Sequence, residues 1–267
     1  MIRKPLLAAF TLTLAGAGCI PTTANISKIT STTTLSESTW INVAPDVSRY
    51  ECSAEVCGSR LILYRFAKDK FAWRFINNAV PMTVEAWAEF LPKAIFVANG
   101  VYFDEKFQPT GLLKTSNAIV NNRVYDLKRS SLLELSPSVA IIDTAAEKLT
   151  PYPDSGFDLM KMNEVAQSYP LLIGNGIPRN IIKDEHPSRR TVIGTDRNGN
   201  VYVGVIPDDL ISFANLSKVL AETGVTWNNV LNLDGGASTG FAFHAGTYEE
   251  TMNSIAQVPN VIVAERK

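Results

Sequence analysis

Two alternating runs, TVIGTD at 191–196 and VYVGVI at 201–206, stand four residues apart around Arg197-Asn198-Gly199-Asn200. Asn-Gly accepts the positive φ angles that a tight hairpin turn demands, and β-branched residues on both sides favour extended backbone. The stretch therefore commits the chain to antiparallel pairing. Other short apolar runs repeat the pattern: LILYRF (61–66), AIFVANG (94–100), LLEL (132–135), VAII (139–142), PLLIGNG (170–176), VLNL (230–233), GFAF (240–243) and NVIVAE (260–265). Each reads as a strand.

Helix signals are fewer. Thr83 caps a short helix through Glu85, Trp87 and Phe90, ended by Pro92. KMNEVAQSYP (161–170) has helical spacing, with Met162, Val165, Ala166 and Tyr169 on one face. Ser212 caps a third, with Phe213, Leu216, Val219 and Leu220 inward and Gly224 as its stop. Strands and helices do not alternate strictly. The expected class is α+β, one large mixed β-sheet with a few packed helices in a single catalytic domain.

That domain is expected over 40–267. Before it, MIRKPLLAAFTLTLAGAGC has the basic start, short apolar stretch and small residues of an export leader. Two endings fit. Ala15-Gly16-Ala17 suits ordinary cleavage, and Gly16-Ala17-Gly18-Cys19 resembles a lipobox with Cys19 as the lipid-bearing residue. We take 1–18 as a leader of the lipoprotein type. Residues 19–39 are rich in Ser and Thr and read as a flexible tether. The expected location is periplasmic or anchored at the outer membrane. In an exported chain Cys52 and Cys57, five apart, are expected to form a disulfide. A net charge of −1 gives no argument for nucleic-acid binding.

Polar residues gather where strands end. In VLNLD, Leu231 and Leu233 share one face, Asn232 and Asp234 the other. Gly235 and Gly236 let backbone approach a ligand, and their N–H groups can cradle an anion. Ser238 and Thr239 add hydroxyls. ANGVYFD (98–104) repeats the grammar, with Asn99 at the strand end, Gly100 behind it and Asp104 beyond. In HPSRRTVIG, His186 and the Arg189-Arg190 pair precede a strand, and arginine forks suit phosphate. His244 sits at strand spacing and reads as structural or exposed. Each stretch also has a plain reading as a turn or a solvated loop.

Together ANGVYFD, PLLIGNG, RTVIG (190–194), NLDGGAST (232–239) and VPNVIV (258–263) resemble, in order and spacing, the phosphodiester glycosidase family. This is the family of the enzyme that uncovers mannose 6-phosphate by removing a capping N-acetylglucosamine. The resemblance runs over roughly 94–264. It departs at Val101 and Tyr102, where Gly and Phe are usual, and at Ser188-Arg189, which separate His186-Pro187 from Arg190-Thr191.

The resemblance implies cleavage of a sugar from a sugar-1-phosphodiester. Asp234 would activate water or stabilise an oxocarbenium-like centre, and Arg190 would pair with the phosphate. Asn99 would hydrogen-bond sugar or phosphate. Gly100, Arg189, Gly235, Gly236, Ser238 and Thr239 would line the ligand. His186 would orient Arg190 or donate a proton. Asp104 is the best second carboxylate by position, with Glu185 and Asp208 as alternatives. No metal motif appears, and the residues identify no cofactor. A divalent cation on Asp234 or Asp104 stays open, since a site of carboxylate oxygens leaves no sharper trace. Partners would be a sugar-phosphate or glycan, and a membrane through Cys19. The competing expectation is a carbohydrate-binding envelope lipoprotein without turnover.

Overall fold

The computed structural model describes residues 39–116, 118–146, 161–181 and 186–267. The leader, most of the tether and Glu185 lie outside the described residues. The first described strand is β1 (Trp40–Ala44).

Three antiparallel sheets carry the fold. The first runs in the order β1, β2 (Val47–Cys52), β3 (Leu61–Phe66), β14 (Val201–Ile211), β13 (Ser188–Asp196), β15 (Trp227–Asn232), β11 (Leu171–Gly174) and β12 (Ile177–Pro178). The second runs β17 (Tyr248–Met252), β16 (Phe241–Ala245), β5 (Phe96–Asn99), β18 (Val258–Arg266) and β4 (Phe71–Met82). The third runs β7 (Ala118–Asn121), β6 (Leu113–Thr115), β10 (Val165–Ser168), β8 (Ser131–Glu134) and β9 (Ala140–Ile142). The helices are α1 (Ala54–Cys57), α2 (Val84–Phe90) and α3 (Phe213–Glu222). The chain is thus sheet-rich. In place of one large mixed sheet, the described residues form three, and their strand pairings are antiparallel.

Alternation explains the layering. In β3, Ile62, Tyr64 and Phe66 face inward, as do Phe96 and Ala98 of β5 and Phe241 and Phe243 of β16. These side chains form the core between the first two sheets, with the Tyr64 and Phe243 rings stacked at 5.0 Å. Leu61, Leu63, Val192 and Val230 face the other way and pack against Leu216 and Leu220 of α3. Val97, Ala242, Val261 and Val263 pack against Val84 and Trp87 of α2. The order is helix, sheet, sheet, helix. Both helices start as the sequence indicates, with Thr83 Oγ1 accepting from the Ala86 N–H and Ser212 Oγ from the Asn215 N–H. Cys52 and Cys57 are disulfide-bonded.

The helix expected over 161–170 is not there. Val165–Ser168 form the central strand of the third sheet, pairing with Leu113 and Lys114 on one side and Ser131–Glu134 on the other. Val165 and Ala166 point into different clusters, and both are fully buried. A strand covered on both faces shows consecutive apolar residues, which spacing alone cannot separate from a helix.

One partly buried ion pair braces the first two sheets. Arg49 of β2 donates to both carboxylate oxygens of Glu250 on β17, at 2.6 and 2.8 Å. The Tyr64 and Tyr248 hydroxyls also donate to Glu250. Burial pushes this carboxyl up, but the bonds from Arg49 and Tyr64 and the charge of Arg49 outweigh it and hold it below the ordinary glutamate range. A carboxyl depressed in the folded state contributes stability that is present above its unfolded pKa and lost as pH falls through the folded value. The pair is only partly buried, so Glu250→Gln is expected to cost about 1–2 kcal/mol in denaturant unfolding at pH 7. The deficit should shrink as the pH is lowered below 4; a pH-independent deficit would contradict this brace.

Candidate active site

The site is built around the amide of Asn99, fully buried at the end of β5. Asn99 Oδ1 accepts from Thr191 Oγ1 at 2.7 Å and from the Gly240 N–H at 3.2 Å. Its Nδ2 donates to the Asp234 carbonyl at 2.7 Å. Thr191 lies in β13, so one side chain of the second sheet grips the first and fixes the backbone of Asp234. The Asp234 N–H donates in turn to the Gly100 carbonyl at 3.1 Å.

Gly100 is required by its neighbour. A Cβ there would lie 2.1 Å from Asn260 Oδ1. That oxygen accepts from the Val101 N–H at 2.7 Å, and Asn260 Nδ2 donates to the Val101 carbonyl at 3.2 Å. The Asn-Gly and Val-Pro-Asn stretches are two halves of one clamp. Pro170 and its neighbours close the other side. The Pro170 carbonyl accepts from the Asn232 N–H at 3.0 Å, and Ser168 Oγ donates to the Asn232 carbonyl at 2.7 Å.

Asp234 follows directly on β15 through Leu233. Its Oδ1 accepts from the Gly235 N–H at 2.9 Å, and Ser238 hydrogen-bonds the same carboxyl. Burial raises the Asp234 carboxyl above the ordinary aspartate value, and Ser238 and the Gly235 N–H offset only part of that rise. Gly235 has no room for a side chain, since a Cβ would lie 2.7 Å from the Arg189 carbonyl oxygen. Gly236 takes φ +61 and opens a single 3-10 turn through Ser238.

Arg190 is 7% exposed. Its guanidinium lies 3.7 Å over the ring of Phe213, the first residue of α3. Nε donates to the Ile211 carbonyl at 3.1 Å and Nη2 to the His186 carbonyl at 2.9 Å. Asn232 Nδ2 donates to the Tyr102 hydroxyl at 2.7 Å, while Asn232 Oδ1, fully buried, has no protein partner. The Tyr102 hydroxyl is pushed well up by burial first, then by Tyr169 and Asp234, with Arg190 opposing. The two charged groups of the site thus act on one hydroxyl with opposite signs.

Of the residues the sequence singles out, the structure brings together Asn99, Gly100, Arg190, Asp234, Gly235, Gly236 and Ser238. Asn99 and Gly100 are occupied as scaffold. Thr239 is fully buried, with Oγ1 unpartnered. Arg189 turns toward the second sheet, with Nη2 3.4 Å from Met252 Sδ. The His186 side chain is exposed, and its carbonyl is what holds Arg190. Asp104 is exposed, and its Oδ1 accepts from the Lys106 and Gln108 N–H groups, both at 2.9 Å, closing its own loop. Asp208 is paired with Arg60. Among the described residues no group of three or more His, Cys, Asp or Glu is placed to hold a metal ion.

Aromatic residues were missed as site components. Tyr102 and Tyr169 lie with ring centres 5.2 Å apart, and Tyr125 stands perpendicular to Tyr169 at 6.4 Å. Together with Phe103, Thr110 and Arg123 they line a cavity of about 440 Å³. The available signal was Tyr102 itself, the polar one of the two departures inside ANGVYFD. A smaller cavity of about 260 Å³ beside the Asn198-Gly199 turn holds none of the motif residues.

A hypothetical protein from Synechocystis superposes with a TM-score of 0.62 at 14% identity, over 86% of this chain and 64% of that one. The chain thus spans just under two thirds of that protein's length. The catalytic domain of zebrafish N-acetylglucosamine-1-phosphodiester alpha-N-acetylglucosaminidase, auto-inhibited by its pro-peptide, superposes with a TM-score of 0.58 at 13% identity. The match covers 86% of this chain and 82% of that one. At such identities the likeness shows the fold. No curated protein sequence matches. A phosphodiester glycosidase model matches residues 92–265, which span all five motifs and most of the three sheets, and the chain belongs to that family.

Proposed function

We propose that the chain is an exported hydrolase that cleaves the bond between the anomeric carbon of a sugar and a phosphodiester oxygen. The observation that carries this is the half-buried Asp234 carboxyl, presented beside the backbone N–H of Gly235 and within electrostatic reach of the hydroxyl that Arg190 also influences. Family membership supports a glycosidase acting on phosphodiester-linked sugars. Surface or cell-wall glycans are the substrates an exported enzyme of this kind would meet. The leader-like first residues support export, and a native chain found wholly in the cytoplasm would contradict it.

The chemistry follows from the leaving group. A phosphate ester departs with the C–O electron pair and needs little protonation. The protein's task is then to activate water and stabilise charge at the anomeric carbon. Asp234 as carboxylate takes the proton of the attacking water. Arg190 stabilises the departing phosphate. Asn99 acts at one remove, holding the Asp234 backbone. Asp104 is committed to its own loop, and the reaction as proposed does not require it.

The competing reading, a binding module without turnover, leaned on Val101. That residue is 2% exposed, packs into the main core and does not take a positive φ. Val101 is thus accommodated without a strained backbone, which supports the hydrolase reading over the binding module.

Asp234→Asn should lower turnover of an activated sugar-1-phosphodiester on the order of a thousandfold, with a melting temperature no lower than that of the native chain. Because the carboxylate is the working form and its pKa is raised, the native rate should fall as pH drops through a value above the ordinary aspartate 3.8. Undiminished activity in the variant would sink the assignment.

Arg190→Lys keeps the charge but loses the planar fork. It should weaken inhibition by a phosphate monoester more than about tenfold, whereas Arg189→Ala should change it less than about twofold. Equal effects in an inhibition assay would show that the arginines share the phosphate.

A further inference from the structure

The aromatic cavity beside Asp234 has a built wall. Gln167, 1% exposed, grips Tyr125 from both ends of its backbone: Oε1 accepts from the Tyr125 N–H at 3.1 Å, and Nε2 donates to the Tyr125 carbonyl. Nε2 also donates to Ser130 Oγ at 2.7 Å. Gly111 leaves space for the ring, since a Cβ there would lie 2.5 Å from Tyr125 Cε1. Tyr102 is fixed through its hydroxyl by Asn232, so one ring belongs both to the cavity and to the catalytic corner. Tyr169 is 40% exposed, a large aromatic face turned partly to solvent. The volume of about 440 Å³ lies in the usual range for a small-molecule site. Of the six lining residues, Arg123 is the one that carries a charge, and it is exposed at the rim.

We infer that this cavity is a sugar subsite: the Tyr102, Tyr125 and Tyr169 rings take the apolar face of a pyranose, and Arg123 takes an anionic group carried by that ring. Tyrosine offers a rigid apolar face with a polar tip, the combination that suits a sugar with one C–H face and several hydroxyls. A guanidinium at the rim selects a carboxylate or similar anion by paired charge-assisted bonds. The preferred substrates would then be phosphodiesters of acidic sugars. The inference rests on the hydrolase reading above and deepens it.

Calorimetric binding to the purified protein separates the two. The probes are glucuronate 1-phosphate, glucose 1-phosphate and inorganic phosphate. The uronate should bind about tenfold more tightly than the glucose compound, and Arg123→Gln should remove that preference while leaving glucose 1-phosphate unchanged. Tyr125→Leu should weaken both sugar phosphates at least about fivefold without altering the affinity for inorganic phosphate. The inference is overturned if the two sugars bind equally, if the preference survives Arg123→Gln, or if neither binds better than phosphate alone. Turnover of a sugar-1-phosphodiester, measured separately, decides the hydrolase reading whatever these affinities show.

Discussion

The Asn99 side chain is the interaction on which the rest of the site depends. One amide takes a hydroxyl from β13 and an N–H from the start of β16, and gives a hydrogen to the carbonyl of Asp234. It therefore joins the two facing sheets and positions the carboxylate bearer between them. Around the fully buried Asn99 amide, such bonds are each worth about 1 kcal/mol, while a lost partner leaves a buried polar group that costs about 1–3 kcal/mol. The arrangement is consequently close to all-or-none. Asn260, Thr191, Gly240 and Pro170 matter because each completes this network, and their distance in sequence from Asp234 is no guide to their distance in space.

Two kinds of half-buried carboxylate coexist in the sandwich. At the edge, Glu250 is fully served by Arg49, Tyr64 and Tyr248, and its carboxyl is held low. At the proposed site, Asp234 has two partners and its carboxyl is held high. The first is arranged to stay charged and brace the sheets. The second carries a charge that burial makes less favourable, which makes the carboxylate a better proton acceptor than an ordinary aspartate. The unpartnered Asn232 Oδ1 nearby is a further polar atom that the fold leaves unsatisfied. Local incompleteness of this sort is tolerable only because the aromatic core between the sheets is extensive.

Much of this was legible in the residues. The Asn198-Gly199 hairpin, the Thr83 and Ser212 caps and the inward alternation of LILYRF all follow from local rules, and they fixed most of the first two sheets. The third sheet was harder, because Val165 and Ala166 are buried on opposite faces and mimic helical spacing. Asp234, Arg190 and Asn99 were visible as polar strand ends, but their division of labour was not. Whether an amide meets ligand or backbone depends on long-range pairing, here between residues 92 to 135 positions apart. Asp104 looked like a second carboxylate by position, yet two N–H groups of its own turn claim it. Tyr102 was visible only as a departure from the motif and Tyr169 only as part of an apolar face, since an aromatic residue near a motif is most often core.

The central claim is that this corner breaks the bond at the sugar carbon, with Asp234 directing water there. Hydrolysis of a sugar-1-phosphodiester in ¹⁸O-labelled water tests it most directly, with the products separated by mass. The account predicts label in the released sugar and none in the phosphate monoester. Label in the phosphate would show attack at phosphorus and contradict the account.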